Sequence, residues 1–169
     1  QKGILPTVDT AWRSAIGDLI LKIDADTILP PSWIAHISSH FSADPQLMAL
    51  SGPWAAADGA LGDKVMATLG GYAGSLAITL LRGYPLLLGL NSAFRRTVLV
   101  KIDGYHTANP HQLDDQLITR KLHHLKAKTR WFADCMVYHS TRRYHHRPQE
   151  YLSSFLSLMH PHFYHEKIV

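Results

Sequence analysis

Three features of the sequence predict a layered α/β fold. Residues 18–23, Asp-Leu-Ile-Leu-Lys-Ile, form a short apolar run of the kind that becomes a buried parallel strand. Pro30 and Pro31 then open a stretch with helical spacing, Ser32 to Phe41. A second apolar run, Leu47 to Ser51, follows Asp44-Pro45. Strand alternating with helix is the pattern of a sheet covered by helices.

Each element has a local reason. Proline suits a first helical turn, where its missing N–H leaves no bond unmade, and Trp33, Ile34, Ile37 and Phe41 recur behind it at helical spacing. Ala55 to Gly62 reads as a small-residue loop. Between Lys64 and Arg82 no residue is charged, and Gly70, Gly71 and Gly74 fall within the stretch. Thr68, Ser75 and Thr79 dilute its apolarity, so it is expected to be a buried or interfacial helix packed closely through its glycines. A membrane span or a shallow membrane contact is the alternative. Leu86 to Leu90 is predicted as a strand leading into Asn91–Arg96, with Asp103-Gly104 a turn. Leu113, Leu117, Ile118, Leu122 and Leu125 give Gln112 to Lys126 helical spacing. Arg130 to Tyr138 reads as a strand, and Pro148 to His160 as a last amphipathic helix. No internal repeat or low-complexity linker divides the chain, so residues 1–169 are expected to form one domain. Gln1 stands first and the text opens as if in mid-domain, which predicts a partial domain.

Composition bounds the chemistry. With 169 residues, 46% of them hydrophobic and 18% charged, the chain is long enough for a substantial core. A formal charge of +4 suits an anionic ligand such as a nucleotide diphosphate, and equally an acidic membrane surface. Cys135 is the single cysteine, which excludes an internal disulfide and any CxxC metal spacing. The aromatic residues are not interleaved with basic ones, so nucleic acid is not an expected partner. His160, His162 and His165 have loose spacing and no cysteine partner, a poor pattern for zinc. No charged-then-apolar leader opens the sequence, and a cytoplasmic location, alone or at the cytoplasmic face of a membrane, is the expectation.

The sharpest local signal is Asp24-Ala25-Asp26 at the end of the first predicted strand. Ligands of open α/β sheets bind beyond the carboxyl ends of strands. Two carboxylates one residue apart there can share a hard divalent cation with phosphate oxygens. The same residues also suit a turn or a helix cap.

The surrounding text resembles family-2 glycosyltransferases of the GT-A type. Gly17-Asp18-Leu19-Ile20-Leu21-Lys22-Ile23-Asp24-Ala25-Asp26-Thr27, followed by Pro30-Pro31-Ser32-Trp33-Ile34, is similar to that family's strand, DAD triplet and following helix start. Gly89-Leu90-Asn91-Ser92-Ala93-Phe94-Arg95-Arg96 and then Gly104-Tyr105 resemble its G-x-N-x-a-f-R-R segment. Asp114-Asp115 opens a helix similar to its E-D-x-x-L-x-x-R-L, with Asp114 at the Glu position, Asp115 at the Asp and Lys121 at the Arg. Phe132 to His139, and then Ser140-Thr141-Arg142-Arg143, continue the register.

The resemblance implies a Rossmann-like, mostly parallel sheet with flanking helices that lacks the first strand–helix units. It implies a nucleotide-diphosphate sugar donor, Mn²⁺ or Mg²⁺, and a glycan, lipid or protein acceptor. Asp24, Asp26 and His139 would hold the metal, and Asp24, Asn91, Arg95 and Arg96 would contact the donor or acceptor. Asp115 would be the general base of an inverting transfer, tuned by Asp114. The family's early base-reading unit has no counterpart here. Gly3 to Gly17 resembles only its end, with Val8 and Asp9 where Arg and Asn are frequent, and the Q-x-x-R-W of processive synthases is absent. The missing unit keeps open a non-catalytic sugar-nucleotide-binding remnant. Asp24-x-Asp26-x-Ile28 also loosely fits a haloacid-dehalogenase-like phosphohydrolase, although Pro30-Pro31 and the lack of a downstream Lys motif speak against it.

Overall fold

The structure, a computed structural model, describes residues 3–107 and 113–142. Its elements in chain order are α1 (Ile4–Ser14), β1 (Leu19–Lys22), β2 (Thr27–Ile28), α2 (Trp33–Ala43), β3 (Ala49–Ser51), β4 (Trp54–Ala56), α3 (Leu61–Arg82), β5 (Ser92–Arg95), α4 (Arg96–Lys101), α5 (Asp114–His124), β6 (Thr129–Trp131) and β7 (Val137–His139). The expected helix from Pro148 to His160, Arg143, and the histidines from His145 onward lie outside the described residues.

One sheet has the order β1-β5-β3-β6 and a second, smaller one the order β2-β7-β4. In the first, β5 is antiparallel to both β1 and β3, whereas β6 runs parallel to β3. Three of the four strands therefore share a direction, as a mostly parallel sheet requires, with β5 inserted in reverse. Along β5 and β3 successive side chains go to opposite faces. Phe94 and Ala49 join a core with Leu5 and Trp12 of α1, Val98 and Leu99 of α4, and Leu117, Ile118 and Leu122 of α5. Ala93 and Leu50 join a second core with Trp33, Ile37 and Phe41 of α2 and with Val137. Helices thus cover both faces, and the α/β class read from the sequence holds.

The two sheets are joined by the chain itself. β1 continues into β2 through Asp24–Asp26, β3 into β4 through Gly52-Pro53, and β6 into β7 through Phe132–Met136. The carboxyl ends of all three codirectional strands consequently meet at the junction between the sheets.

Several sequence expectations change in detail. Arg130 to Tyr138 is two strands, because the chain turns at Phe132–Met136, where Asn91 Nδ2 donates to the Cys135 carbonyl at 2.8 Å. Leu86 to Leu90 is not a strand. Its amides go to side chains instead of a ladder: Leu87 N donates to Thr119 Oγ1 at 3.0 Å and Leu88 N to Ser51 Oγ at 3.4 Å. The loop expected from Ala55 begins as β4.

The helix expected between Lys64 and Arg82 is α3, but it is not buried. Only Gly71 and Ile78 are buried, and Leu61, Val65, Met66, Leu69, Leu80 and Leu81 all point outward. Small residues face the fold because α3 lies almost on top of β4. A Cβ on Gly71 would stand 2.6 Å from the Trp54 ring and 2.8 Å from its carbonyl oxygen. By length and apolarity α3 meets the minimum for a membrane-crossing helix. Its inner face, however, is occupied by β4, and Thr68 Oγ1 accepts from Ala56 N at 3.1 Å.

Candidate functional site

Asp24 to Thr27 forms a tight turn closed by Thr27 N donating to the Asp24 carbonyl at 3.1 Å. The turn leaves both carboxylates half-exposed, 47% for Asp24 and 43% for Asp26, so neither oxygen pair is used up inside the fold. The next residue, Thr27, pairs with His139 in the β2–β7 ladder. That register carries His139 to the turn from the far end of the chain. His139 Nδ1 lies 3.5 Å from Asp26 Oδ1 and 3.3 Å from Thr27 Oγ1, with the imidazole buried edge-on against Trp54. One ligand atom each from Asp24, Asp26 and His139 all lie within 4.8 Å of one another. Two carboxylates and an imidazole suit a hard or borderline divalent ion, and the exposed carboxylates leave room for its remaining ligands.

Asp114 and Asp115 occupy the first turn of α5, whose N-cap is Leu113 and carries no side-chain cap bond. Within that turn Asp115 Oδ1 accepts from the Gln116 amide at 2.8 Å. The side chain that ties the two aspartates to the Asp24 turn is Lys22. Its Nζ lies 2.8 Å from Asp114 Oδ2 and 3.9 Å from Asp24 Oδ1, and it donates to the Gly89 carbonyl at 2.8 Å. Gly89 has to be glycine for this approach, because a Cβ there would stand 2.7 Å from Nζ and 3.3 Å from Asp114 Oδ2. Lys22 was not among the residues singled out from the sequence. The available signal was a charge at the end of an apolar strand, two residues before Asp24.

The electrostatics separate the two members of the acidic pair. Burial, and then the Asp114 carboxylate beside it, push Asp115 up to about 6, against the opposing pull of the Gln116 amide and Lys22. Asp114 holds the direct contact with Lys22. Burial and then the two aspartates also push the Tyr105 phenol upward, and its hydroxyl is buried without a hydrogen-bond partner among the described residues. Lys121, at the family's Arg position, fixes the Ile102–His106 segment by donating to the carbonyls of Ile102, Gly104 and His106.

Three residues expected to contact substrate make hydrogen bonds within the scaffold. Arg95 pairs with Leu19, at the opposite end of β1 from Asp24. There its guanidinium donates to the carbonyls of Leu47 and Phe41 at 2.8 and 2.7 Å, closing the carboxyl end of α2. Arg96 Nη1 donates to the Ala15 carbonyl at 2.6 Å, just past the end of α1. Asn91 is fully buried: Oδ1 accepts from Trp33 Nε1, and Nδ2 donates to the carbonyls of Pro53 and Cys135. All three serve the scaffold. Asn91 stitches the β3–β4 and β6–β7 crossings together and so helps build the junction that presents the aspartates.

No protein-family model matches the chain. No curated protein matches it either. Solved structures do. A mannosyltransferase from Pyrobaculum calidifontis in complex with GDP-mannose and Mn²⁺ superposes with a TM-score of 0.59 at 19% identity, over 93% of this chain and 43% of that one. A glucosyl-3-phosphoglycerate synthase from Mycobacterium tuberculosis, in complex with Mn²⁺, UDP-glucose and phosphoglyceric acid, gives 0.58 at 14% identity, over 94% of this chain and 54% of that one. A further mycobacterial protein gives 0.58 at 14% identity, over 94% and 51%. The chain thus spans about half the length of the structures it matches. At these identities the likeness establishes architecture, and the chain has the GT-A fold of nucleotide-sugar glycosyltransferases, in part.

Proposed function

We propose that this chain carries the metal edge and the general base of a nucleotide-sugar-dependent glycosyltransferase. One observation supports the reading above the others. Lys22 touches both the Asp24 turn and the Asp114-Asp115 pair, so a diphosphate-holding edge and a base of raised pKa share one end of the sheet. The resemblance in motif order and the GT-A neighbours, whose complexes hold Mn²⁺ and UDP-glucose or GDP-mannose, point the same way.

In this reading Asp24, Asp26 and His139 would hold Mn²⁺ or Mg²⁺, which when bound would supply positive charge to offset that of a departing nucleotide diphosphate. Asp24 and Asp26 also orient the diphosphate at the carboxyl end of β1. Asp115 accepts the proton of an acceptor hydroxyl as its oxygen attacks the anomeric carbon, and this one-step displacement inverts the anomeric configuration. Ionised Asp115 is a stronger base than an ordinary carboxylate because burial and Asp114 disfavour its charge. Asp114, in contact with Lys22, raises the basicity of its neighbour. A glycan, lipid or protein hydroxyl is the acceptor, and the reaction is cytoplasmic or at the cytoplasmic face of a membrane.

The test is to incubate the chain, and any longer protein containing it, with UDP- and GDP-sugars, Mn²⁺ and candidate acceptors. Nucleoside diphosphate release that stops on adding EDTA, with an inverted glycoside product, is the expected result. Release undiminished by EDTA, or a retained configuration, overturns the assignment of Asp24 and Asp26 or of Asp115 respectively. Nucleotide-sugar binding with no transfer would favour the non-catalytic remnant.

A further inference from the structure

Asp58, two residues beyond β4, has no part in the function proposed above. Yet both of its carboxylate oxygens are spent on the segment that follows His139. Ser140 Oγ donates to Oδ2 at 2.6 Å, and the Thr141 amide and hydroxyl donate to Oδ1 at 2.7 and 2.9 Å. Thr141 Oγ1 also lies 3.1 Å from the Asp58 carbonyl, and Arg142 Nε stands 3.7 Å from Oδ2 while donating to Ser140 Oγ at 2.9 Å. These donors, Ser140 first and then the Thr141 amide, hold the Asp58 carboxyl down at about 2.

The position gives the contacts their meaning. β7 is three residues long and ends at His139, paired with the two-residue β2 on one side and with β4 on the other. The last rung toward β4 is Ala56 opposite His139, after which Ala57 N donates to the His139 carbonyl at 2.9 Å. A strand end held only by such a short ladder opens readily. Residues 57 and 58 continue the grip past the ladder, from the His139 carbonyl through Ser140 to Thr141. Ser140 N is fixed as well, donating to the Asp26 carbonyl at 3.2 Å. The segment after the imidazole is therefore pinned on one side to the aspartate turn and on the other to Asp58.

We propose that Asp58 is a positioning residue for the metal site, holding the end of β7 so that the His139 imidazole stays in register with Asp24 and Asp26. The inference rests on the metal role proposed for those three residues. Asp58 itself binds neither the ion nor the donor.

The test is Mn²⁺ affinity without any donor, read from the electron paramagnetic resonance signal of free Mn²⁺ on protein that circular dichroism shows to be folded. Asp58→Ala is expected to weaken Mn²⁺ binding about ten- to a hundredfold, the range typical of outer-shell support around metal ligands. Thr141→Val removes one hydroxyl donor with no change of charge or volume. It should weaken binding in the same direction by a smaller factor, which separates positioning from the loss of a nearby negative charge. It also carries the test if Asp58→Ala does not fold. Wild-type Mn²⁺ affinity in folded Asp58→Ala, or in Thr141→Val where Asp58→Ala does not fold, overturns the proposal while leaving the metal site intact. Failure of the metal reading looks different: the unaltered chain binds no Mn²⁺, or Asp24→Ala and His139→Ala bind it as well as the unaltered chain does.

Discussion

Asp115 combines a place in the first turn of α5 with a carboxyl pushed up to about 6 by burial and by Asp114, and this ties activity and stability to pH in opposite senses. As a base it acts only when ionised, so kcat/KM should fall about tenfold per pH unit below about 6. Asp115→Asn should lower turnover roughly 10²- to 10⁴-fold, with nucleotide-sugar binding little changed, since the proposed reading assigns the diphosphate to Asp24 and Asp26. For stability, the native carboxyl binds its proton more tightly than the same group in the unfolded chain. Its contribution is therefore fully present below the unfolded value, near pH 4, and is lost as pH rises through about 6. Asp115→Asn should accordingly raise Tm at neutral pH and leave it nearly unchanged at about pH 4. Lys22→Met removes a cation that pulls the Asp115 carboxyl down, so the acidic limb of kcat/KM should shift upward. A limb that stays in place in Lys22→Met would deny Lys22 its electrostatic role.

The informative element is α3. Its sequence shows an uncharged stretch with glycines and leucines, and both kinds of residue are suited to close packing. The structure sorts them by face: Gly71 meets Trp54, whereas Leu61, Leu69, Leu80 and Leu81 stay outside. Gly71→Ala should therefore cost about 1–3 kcal/mol in urea unfolding, the usual penalty for overpacking a tight contact. Gly62→Ala, in the same helix with nothing within 4 Å of its added Cβ, should cost nothing or stabilise slightly. Equal effects at the two positions would mean that α3 does not sit on β4 as described. The arginines teach the same lesson. A motif match puts Arg95 and Arg96 in the right segment, but antiparallel β5 carries them away from the aspartates to the opposite end of the sheet.

At the scale of the whole molecule, the proposed metal edge joins Asp24 and Asp26 with His139 from a distant segment, so ion binding there should stabilise the native state as a unit. Mn²⁺ at about a hundred times its Kd should add roughly 2.7 kcal/mol, visible as a rise in Tm that EDTA reverses. Asp26→Ala should remove most of that rise, and an undiminished rise would place the ion elsewhere. What the sequence determined alone is the alternation of strand and helix, the helical spacing of α2 and α5, and the Asp24-Ala25-Asp26 turn at a strand end. These are local properties, set by side-chain period and by turn chemistry over a few residues. The same holds for the order of the motifs, from which Asp24, Asp26, Asp115 and His139 could all be nominated. Only the tertiary structure decided which of the nominated residues meet. The Thr27–His139 register, the reversal of β5, the glycine gap that lets Lys22 reach the Gly89 carbonyl, and the grip of Asp58 on Ser140 and Thr141 are contacts between distant segments. Such contacts depend on strand pairing and on the space left by neighbours, which no local periodicity encodes.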